Sequence, residues 1–343
     1  MTATGKQPRI VGFDVARALA IFAMAYVNFE VVLALGETQP AALRTLASAF
    51  EGNASAMFVT LAGIGLVLLQ ARATILKRAL LLLVVGYAWQ VLWPGDILHY
   101  YAFYLAIGAF CLQLRVRWLW VLAAGSVGVS LLLHLWLDYA AGWRWSDLSY
   151  PAFWTWRGQV RNLVFNGWHP LFPWLAFLFA GMALGRWGIA APGKRRLAMG
   201  AAAVVYVVAA LTSRAVTGET NELTLELWGT SSIPPGPFYV LTAGSASIFW
   251  IALCLELTAI PLVARLSGPL AKCGQLALTC YLAHVFFMFI VVEPLGEALD
   301  YQGLELAFGG AVVFAVTAIL FAAAWRAKFR RGPLEWVMRK LCG

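Results

Sequence analysis

Ten apolar stretches punctuate the chain, near residues 12–35, 54–71, 76–93, 97–114, 118–137, 170–187, 196–215, 236–260, 274–292 and 304–325. Each approaches the roughly 20 residues that carry a helix across the hydrocarbon core of a bilayer. The polar breaks between them are mostly short, as at Pro94, Gly95 and Asp96, which make a whole turn and so place neighbouring helices antiparallel. The pattern predicts an all-α polytopic membrane helix bundle of about ten transmembrane helices, one domain over residues 1–343 with 338–343 as a short tail. Two connections are longer. Residues 138–169 carry Trp143, Trp145, Trp154, Trp156 and Trp168 and are expected to form a helix or lid at headgroup level. Residues 216–235, with Glu219, Glu222, Glu226 and Pro234-Pro235, are expected to be a solvated loop, and the segment after Trp325 a basic amphipathic piece.

Charge orients this pattern. On alternate sides of the ten stretches, 20 of the 25 Lys and Arg fall on the side of the two termini, leaving Arg44, Arg144, Arg157, Arg161 and Arg214 opposite. Both termini are therefore expected to be cytoplasmic. Of the 16 acidic residues only Asp14, Glu256 and Glu335 fall on that inner side. With 62% apolar residues, 12% charged and a mean hydropathy of +0.77, a soluble fold is excluded. The net charge of +9 meets anionic lipid through short loops, so membrane lipids and not nucleic acid are the expected partners. Residues 1–36 resemble a secretory leader in outline, but Asp14, Arg17 and Asn28 interrupt its apolar part, and we read them as a retained first helix. Cys111, Cys254, Cys273, Cys280 and Cys342 avoid the outer loops and form no CxxC or Cys/His cluster, so neither a structural disulfide nor a metal is expected.

Polar groups inside hydrocarbon are costly, which makes them candidates for function. On the first helix Asp14, Arg17, Ile21, Met24 and Asn28 share one face, with Asp14 and Arg17 a turn apart and Asn28 about 21 Å further out. Asp96 opens the fourth helix as a cap and, three residues on, His99 returns over the same face, either as a plain helix start or as a carboxylate and imidazole pair. His169 precedes Pro170 at the start of the sixth helix, which places its ring at the membrane surface. His284 lies deeper, about 18 Å from the inner end, where a neutral hydrogen-bonded core histidine is the plain reading; His134 reads as structural. Gly63, Gly65, Gly181 and Gly185 read as packing residues. Walker, GxSxG, HExxH and dinucleotide motifs are missing from the sequence.

Several segments together resemble the transmembrane acyltransferase group that includes heparan-α-glucosaminide N-acetyltransferase and the bacterial YeiB-like membrane proteins. These are Arg9 to Arg17 with Val27-Asn28, Trp93 to Ala102, His169 to Arg186, and Gln275 to His284, in an order and spacing that cover most of the chain. In the acetyltransferase branch, acetyl-CoA is supplied from the cytoplasm, the acetyl group passes to an amino sugar across the membrane, and an Asn ending the first helix works with a His shortly after it. Asn28 matches that Asn. The family's H-x-x-W-N-G reads Ala47-Ser48-Ala49-Phe50-Glu51-Gly52 here, and the Gly after the first-helix Arg is Ala18.

The resemblance implies an acyltransferase of a bacterial cytoplasmic membrane. It would move an acetyl or similar group from acetyl-CoA or another acyl-CoA to an extracytoplasmic glycan or lipid headgroup, without a metal. Its imidazole would come from His99, His169 or His284. In this reading His169 or His99 is the base, Asp96 its orienter and Asn28 an oxyanion donor. Asp14, Arg17, Arg72, Arg78 and Arg186 form the inner edge that meets the donor phosphates. The alternative is a small-solute permease using the same polar residues, which an inverted repeat would favour. A homo-oligomer is compatible with either.

Overall fold

In a computed structural model of the chain, the described residues are 9–33, 43, 45, 50–218, 222–301 and 303–343. Lys6, Arg44, Ala47, Ser48, Ala49 and Glu219, which entered the charge and motif readings, lie outside them, as does the side chain of Glu222.

Helices fill the apolar stretches. The first half holds α1 (Val11–Leu33), α2 (Asn53–Leu69), α3 (Arg72–Gln90), α4 (Leu98–Phe110), α5 (Val116–Trp136) and the short α6 (Trp156–Arg161), which continues as a π-helical turn over Asn162–Asn166. Then come α7 (Leu171–Trp187), α8 (Pro192–Thr217), α9 (Glu222–Trp228) and α10 (Pro237–Leu257). The last part is α11 (Pro261–Leu266), α12 (Gly268–Gln275), α13 (Ala277–Phe287), α14 (Glu293–Leu299), α15 (Leu304–Lys328) and α16 (Pro333–Cys342). The only β element among the described residues is an isolated bridge between Arg144 and Ser149. Among the described residues seven helices are long and apolar enough to cross a membrane, and an eighth span results if Trp156–Asn166 and Leu171–Trp187, bent by 50°, are one. The shorter apolar helices α2 and α4 fill the two remaining stretches. The protein is an all-α polytopic membrane bundle.

Prolines set several helix starts. Pro192, Pro237, Pro261 and Pro333 occupy first-turn positions, where a missing N–H costs nothing. Contacts between helix ends reveal the up-and-down order. At the basic end Arg195 and Arg196 both pair with Glu256, tying the start of α8 to the end of α10. At the opposite end the Tyr239 hydroxyl donates to the Gly52 carbonyl at 3.1 Å and Ser213 Oγ to the Trp228 carbonyl at 2.6 Å.

At the centre lies α1, packed against α2, α10, α12, α13 and α15, with Ala16, Ala18, Ala20, Ile21, Ala25 and Phe29 fully buried. Such small residues let backbones approach closely, which is how helices associate where lipid supplies no hydrophobic drive. Across the α2–α7 contact, a Cβ on Gly63 would lie 2.1 Å from the Leu178 carbonyl oxygen, and one on Gly181 2.0 Å from that of Thr60. Packing accounts for these two and for Gly185, whereas Gly65 faces open space.

One sequence expectation needs correction. The connection over 216–235 is not simply a solvated loop, since α9 forms within it; Ser213 anchors the Trp228 carbonyl and Trp228 packs on Phe238 with ring centres 6.0 Å apart. The short tail over 338–343 is helical as far as Cys342. It completes α16, which docks on α3 and α13 and buries Cys342. There the Glu335 carboxylate accepts the Leu278 and Thr279 backbone N–H groups at 2.8 and 3.1 Å and the Thr279 hydroxyl at 2.7 Å. An acidic side chain from a distant helix thus satisfies the otherwise unpaired donors that begin α13.

Candidate functional site

At the basic end, a cavity of about 320 Å³ opens between α1, α2, α3, α4, α12, α13 and α16. Arg9, Arg17 and Arg78 line it, with Gln275, Tyr101, Glu335 and Met338. Buried Asp14 organises its cationic side, taking two bonds from Arg9 at 2.5 and 3.0 Å and one from Arg17 at 2.9 Å. Arg17 also donates to the Gly274 carbonyl at 3.2 Å, fixing α1 against α12. Buried Arg78 Nε has no protein partner, which leaves a donor available to an anion. Arg72 and Arg186 are placed differently: they donate to the Ala109 and Leu112 carbonyls and line neither this cavity nor the one at the other end.

At the opposite end a smaller cavity, about 90 Å³, is bounded by Asn28, Glu51, Gly52, Trp93, Trp168, His169, Trp174 and Tyr281. Asn28 Nδ2 lies 2.7 Å from His284 Nε2, and His284 Nδ1 meets the Tyr281 carbonyl. A carbonyl only accepts, so Nδ1 carries the proton and Nε2 presents its lone pair to the Asn28 amide. This arrangement satisfies both nitrogens of a neutral, fully buried imidazole. It fixes the orientation of Asn28, leaving the amide oxygen and one N–H for other partners. His284 itself does not line the cavity but stands behind Asn28.

His169 is brought to the cavity. The ring is lodged edge-to-face against Trp174, centres 4.6 Å apart, and near Tyr100 at 5.9 Å, with Nδ1 buried and unpartnered. Tyr104 holds its backbone by donating to the carbonyl at 2.5 Å. His99 is elsewhere. Its Nδ1 is 3.8 Å from Asp96 Oδ2, beyond hydrogen-bond reach, and its ring stacks on Tyr87 with centres 5.5 Å apart, outside both cavities. Asp96 instead accepts the Leu98 N–H at 2.7 Å and the Tyr281 hydroxyl at 3.1 Å. His134 is structural, bonded to the Ser130 carbonyl and stacked on Tyr139.

Tyr281 belongs to both cavities. Its hydroxyl donates to Asp96 and accepts the Ile97 N–H at 3.3 Å, which holds this shared wall residue in place. Sequence reasoning passed over Tyr281 and also Arg9, Glu335 and Glu51. Tyr281 stood one turn before His284, the only hint available. Glu51 had a clearer signal, since it occupies the Asn position of the H-x-x-W-N-G pattern.

Glu51 lies at the cavity mouth, within electrostatic reach of Glu30. Although the residue as a whole is exposed, burial of its carboxyl by the surrounding protein raises it above the ordinary 4.5. A raised carboxyl means that the folded state holds its proton more tightly, so stability falls as pH climbs upward from the ordinary glutamate range. Glu51→Gln is expected to raise the unfolding midpoint at about pH 8 and to leave it unchanged at about pH 4. Thermal unfolding in detergent across that range checks this; a pH-independent difference would show that the proton is not the cause.

Groups of three or more His, Cys, Asp or Glu able to hold a metal are absent among the described residues. Residues 9–216 match the family model described as heparan-alpha-glucosaminide N-acetyltransferase, catalytic. Residues 184–343 match one described as protein of unknown function (DUF418). The chain is also 27% identical over 319 residues to the uncharacterized protein YeiB of Escherichia coli strain K12, covering 83% of this chain and 80% of that one.

Proposed function

The chain belongs to the heparan-alpha-glucosaminide N-acetyltransferase catalytic family, and on that premise we propose that it is a membrane acyltransferase. It draws an acyl-CoA, acetyl-CoA in the simplest case, into the arginine-lined cavity and delivers the acyl group to a glycan or lipid headgroup in the cavity opposite. The observation that carries this reading is Tyr281, whose side chain lines both a cationic chamber and one holding an amide and an imidazole. The charge pattern supports a cytoplasmic donor side and a bacterial inner membrane.

The chemistry follows from the groups present. His169 takes the proton from the acceptor hydroxyl or amine as it attacks the thioester carbonyl carbon. The Asn28 N–H, held in orientation by His284, donates to the oxyanion that forms. Collapse breaks the carbon–sulfur bond, and the proton on His169 passes to the departing thiolate. Arg9, Arg17 and Arg78 meet the donor phosphates, with Asp14 keeping the first two in place.

Acetyl-CoA is expected to raise the unfolding temperature of purified protein in proportion to its concentration. Arg78→Ala, which breaks no hydrogen bond of its Nε within the protein, should weaken binding by about 10- to 100-fold, the worth of a charge-assisted bond of ~1.5–3 kcal/mol. No shift at millimolar acetyl-CoA would favour the alternative, a small-solute permease in which the two chambers are alternating faces of one path, and solute uptake would then be measured.

A further inference from the structure

Beneath the Trp-rich connector lies another cavity of about 260 Å³, which the acyl-transfer chemistry leaves unused. Trp143, Trp154, Trp168 and Tyr150 form aromatic walls, with Gln90 and Asn162 as polar groups. Lys, Arg, Asp and Glu are absent from its described lining. Gln90 is 9% exposed and gives its amide N–H to the Pro94 carbonyl at 3.0 Å, while its Oε1 is buried without a protein partner. The indole N–H of Trp168 is also buried and unpartnered. Trp168 lines both this cavity and the one containing Asn28 and His169, so the two adjoin.

The connector is built to hold these walls still. Trp143 Nε1 donates to the Asn166 carbonyl at 2.6 Å, the Tyr150 hydroxyl to Asn166 Oδ1 at 3.2 Å, and Asn166 Nδ2 to the Tyr139 and Ala141 carbonyls, both at 2.8 Å. Trp143 meets Trp168 edge-to-face at 5.2 Å. Fixed aromatic faces beside neutral donors and acceptors complement a ligand with an apolar C–H face and a rim of hydroxyls. The lack of ionic groups argues against a phosphate or sulfate.

We propose that this cavity binds an uncharged pyranose ring, an extension of the acceptor glycan that passes Trp168 into the reacting cavity. The proposal deepens the acyltransferase reading and takes its acceptor from it, but sugar binding is measurable alone. Cellobiose serves as probe, with the full chain in nanodiscs free of glycolipid and saturation-transfer NMR as readout. Transfer to the cellobiose ring C–H protons is expected, with glucose 6-phosphate much weaker. Gln90→Leu and Trp154→Ala should each weaken cellobiose binding by about 3- to 10-fold, as loss of one neutral contact allows. Their acetyl-CoA shift should be unchanged, which also shows that they fold. Absent transfer at tens of millimolar cellobiose, equal binding of the phosphorylated sugar, or unaltered binding in both variants would overturn the proposal. Cellobiose binding without any acetyl-CoA shift would remove the acyltransferase reading and leave the sugar site standing.

Discussion

Asn28→Ala is expected to lower acyl-CoA turnover by about 10²- to 10³-fold, the cost of removing one oxyanion donor from a preorganised site. Asn28 is the group of the Asn28–His284 pair that reaches the cavity, and its amide is aimed by a bond of 2.7 Å to an imidazole whose other nitrogen is already committed. The same change strips His284 Nε2 of its partner in a fully buried position, so a stability loss of about 1–3 kcal/mol should accompany it. The two effects separate in the kinetics. Loss of a transition-state contact lowers kcat and leaves acetyl-CoA affinity intact, whereas general loosening of the bundle weakens both. His284→Ala should reproduce part of the kcat loss by releasing Asn28, and His169→Ala should cost about 10²- to 10⁴-fold by removing the base. Thiol release from acetyl-CoA by reconstituted protein, assayed with a panel of amino sugars and neutral glycans, provides the measurement. A folded Asn28→Ala variant with full turnover would remove the amide from the mechanism.

Among the described glycines, Gly274→Ala should be the most damaging single added methyl group. Its Cβ would fall 1.8 Å from the Asp14 carbonyl oxygen, where backbone meets backbone and no side chain can turn aside. Helix α12 must then withdraw from α1, which breaks the Arg17 bond to the Gly274 carbonyl and the Gln275 bond to Asp14 at 3.3 Å. Ordinary overpacking costs about 1–3 kcal/mol, and this contact should exceed the upper figure. The expected outcome is little monodisperse protein after extraction and a lowered unfolding midpoint in what remains. Gly65→Ala is the control: nothing lies within 4 Å of its Cβ, so it should fold normally. Equal behaviour of the two variants would show that the α1–α12 crossing tolerates separation.

The helices were legible because burial in lipid leaves little freedom: apolar runs must be helical, and the charge between them sets their connections. Close packing at Gly63 and Gly181 was legible for a similar reason, since small residues in such runs mark backbone contact. The site was only half legible. Asn28 and His284 are 256 positions apart, and their pairing depends on how α13 rotates against α1, which no local spacing encodes. Asp96 and His99 have the spacing of an interacting pair, yet Asp96 turns to Tyr281, because a hydroxyl from another helix offers better geometry than the neighbouring ring. Arg72 and Arg186 look like phosphate ligands in sequence and serve as seals for carbonyls. The α9 helix was hidden by the acidic, proline-bounded character of its segment.

Glu335 of α16 completes the start of α13, and Met338 forms part of the arginine-lined chamber. In order of synthesis α16 emerges after helices α1 to α15. The chamber acquires the wall that Glu335 and Met338 supply only after those helices have been made, and a chain ended before residue 333 would carry all three arginines without it.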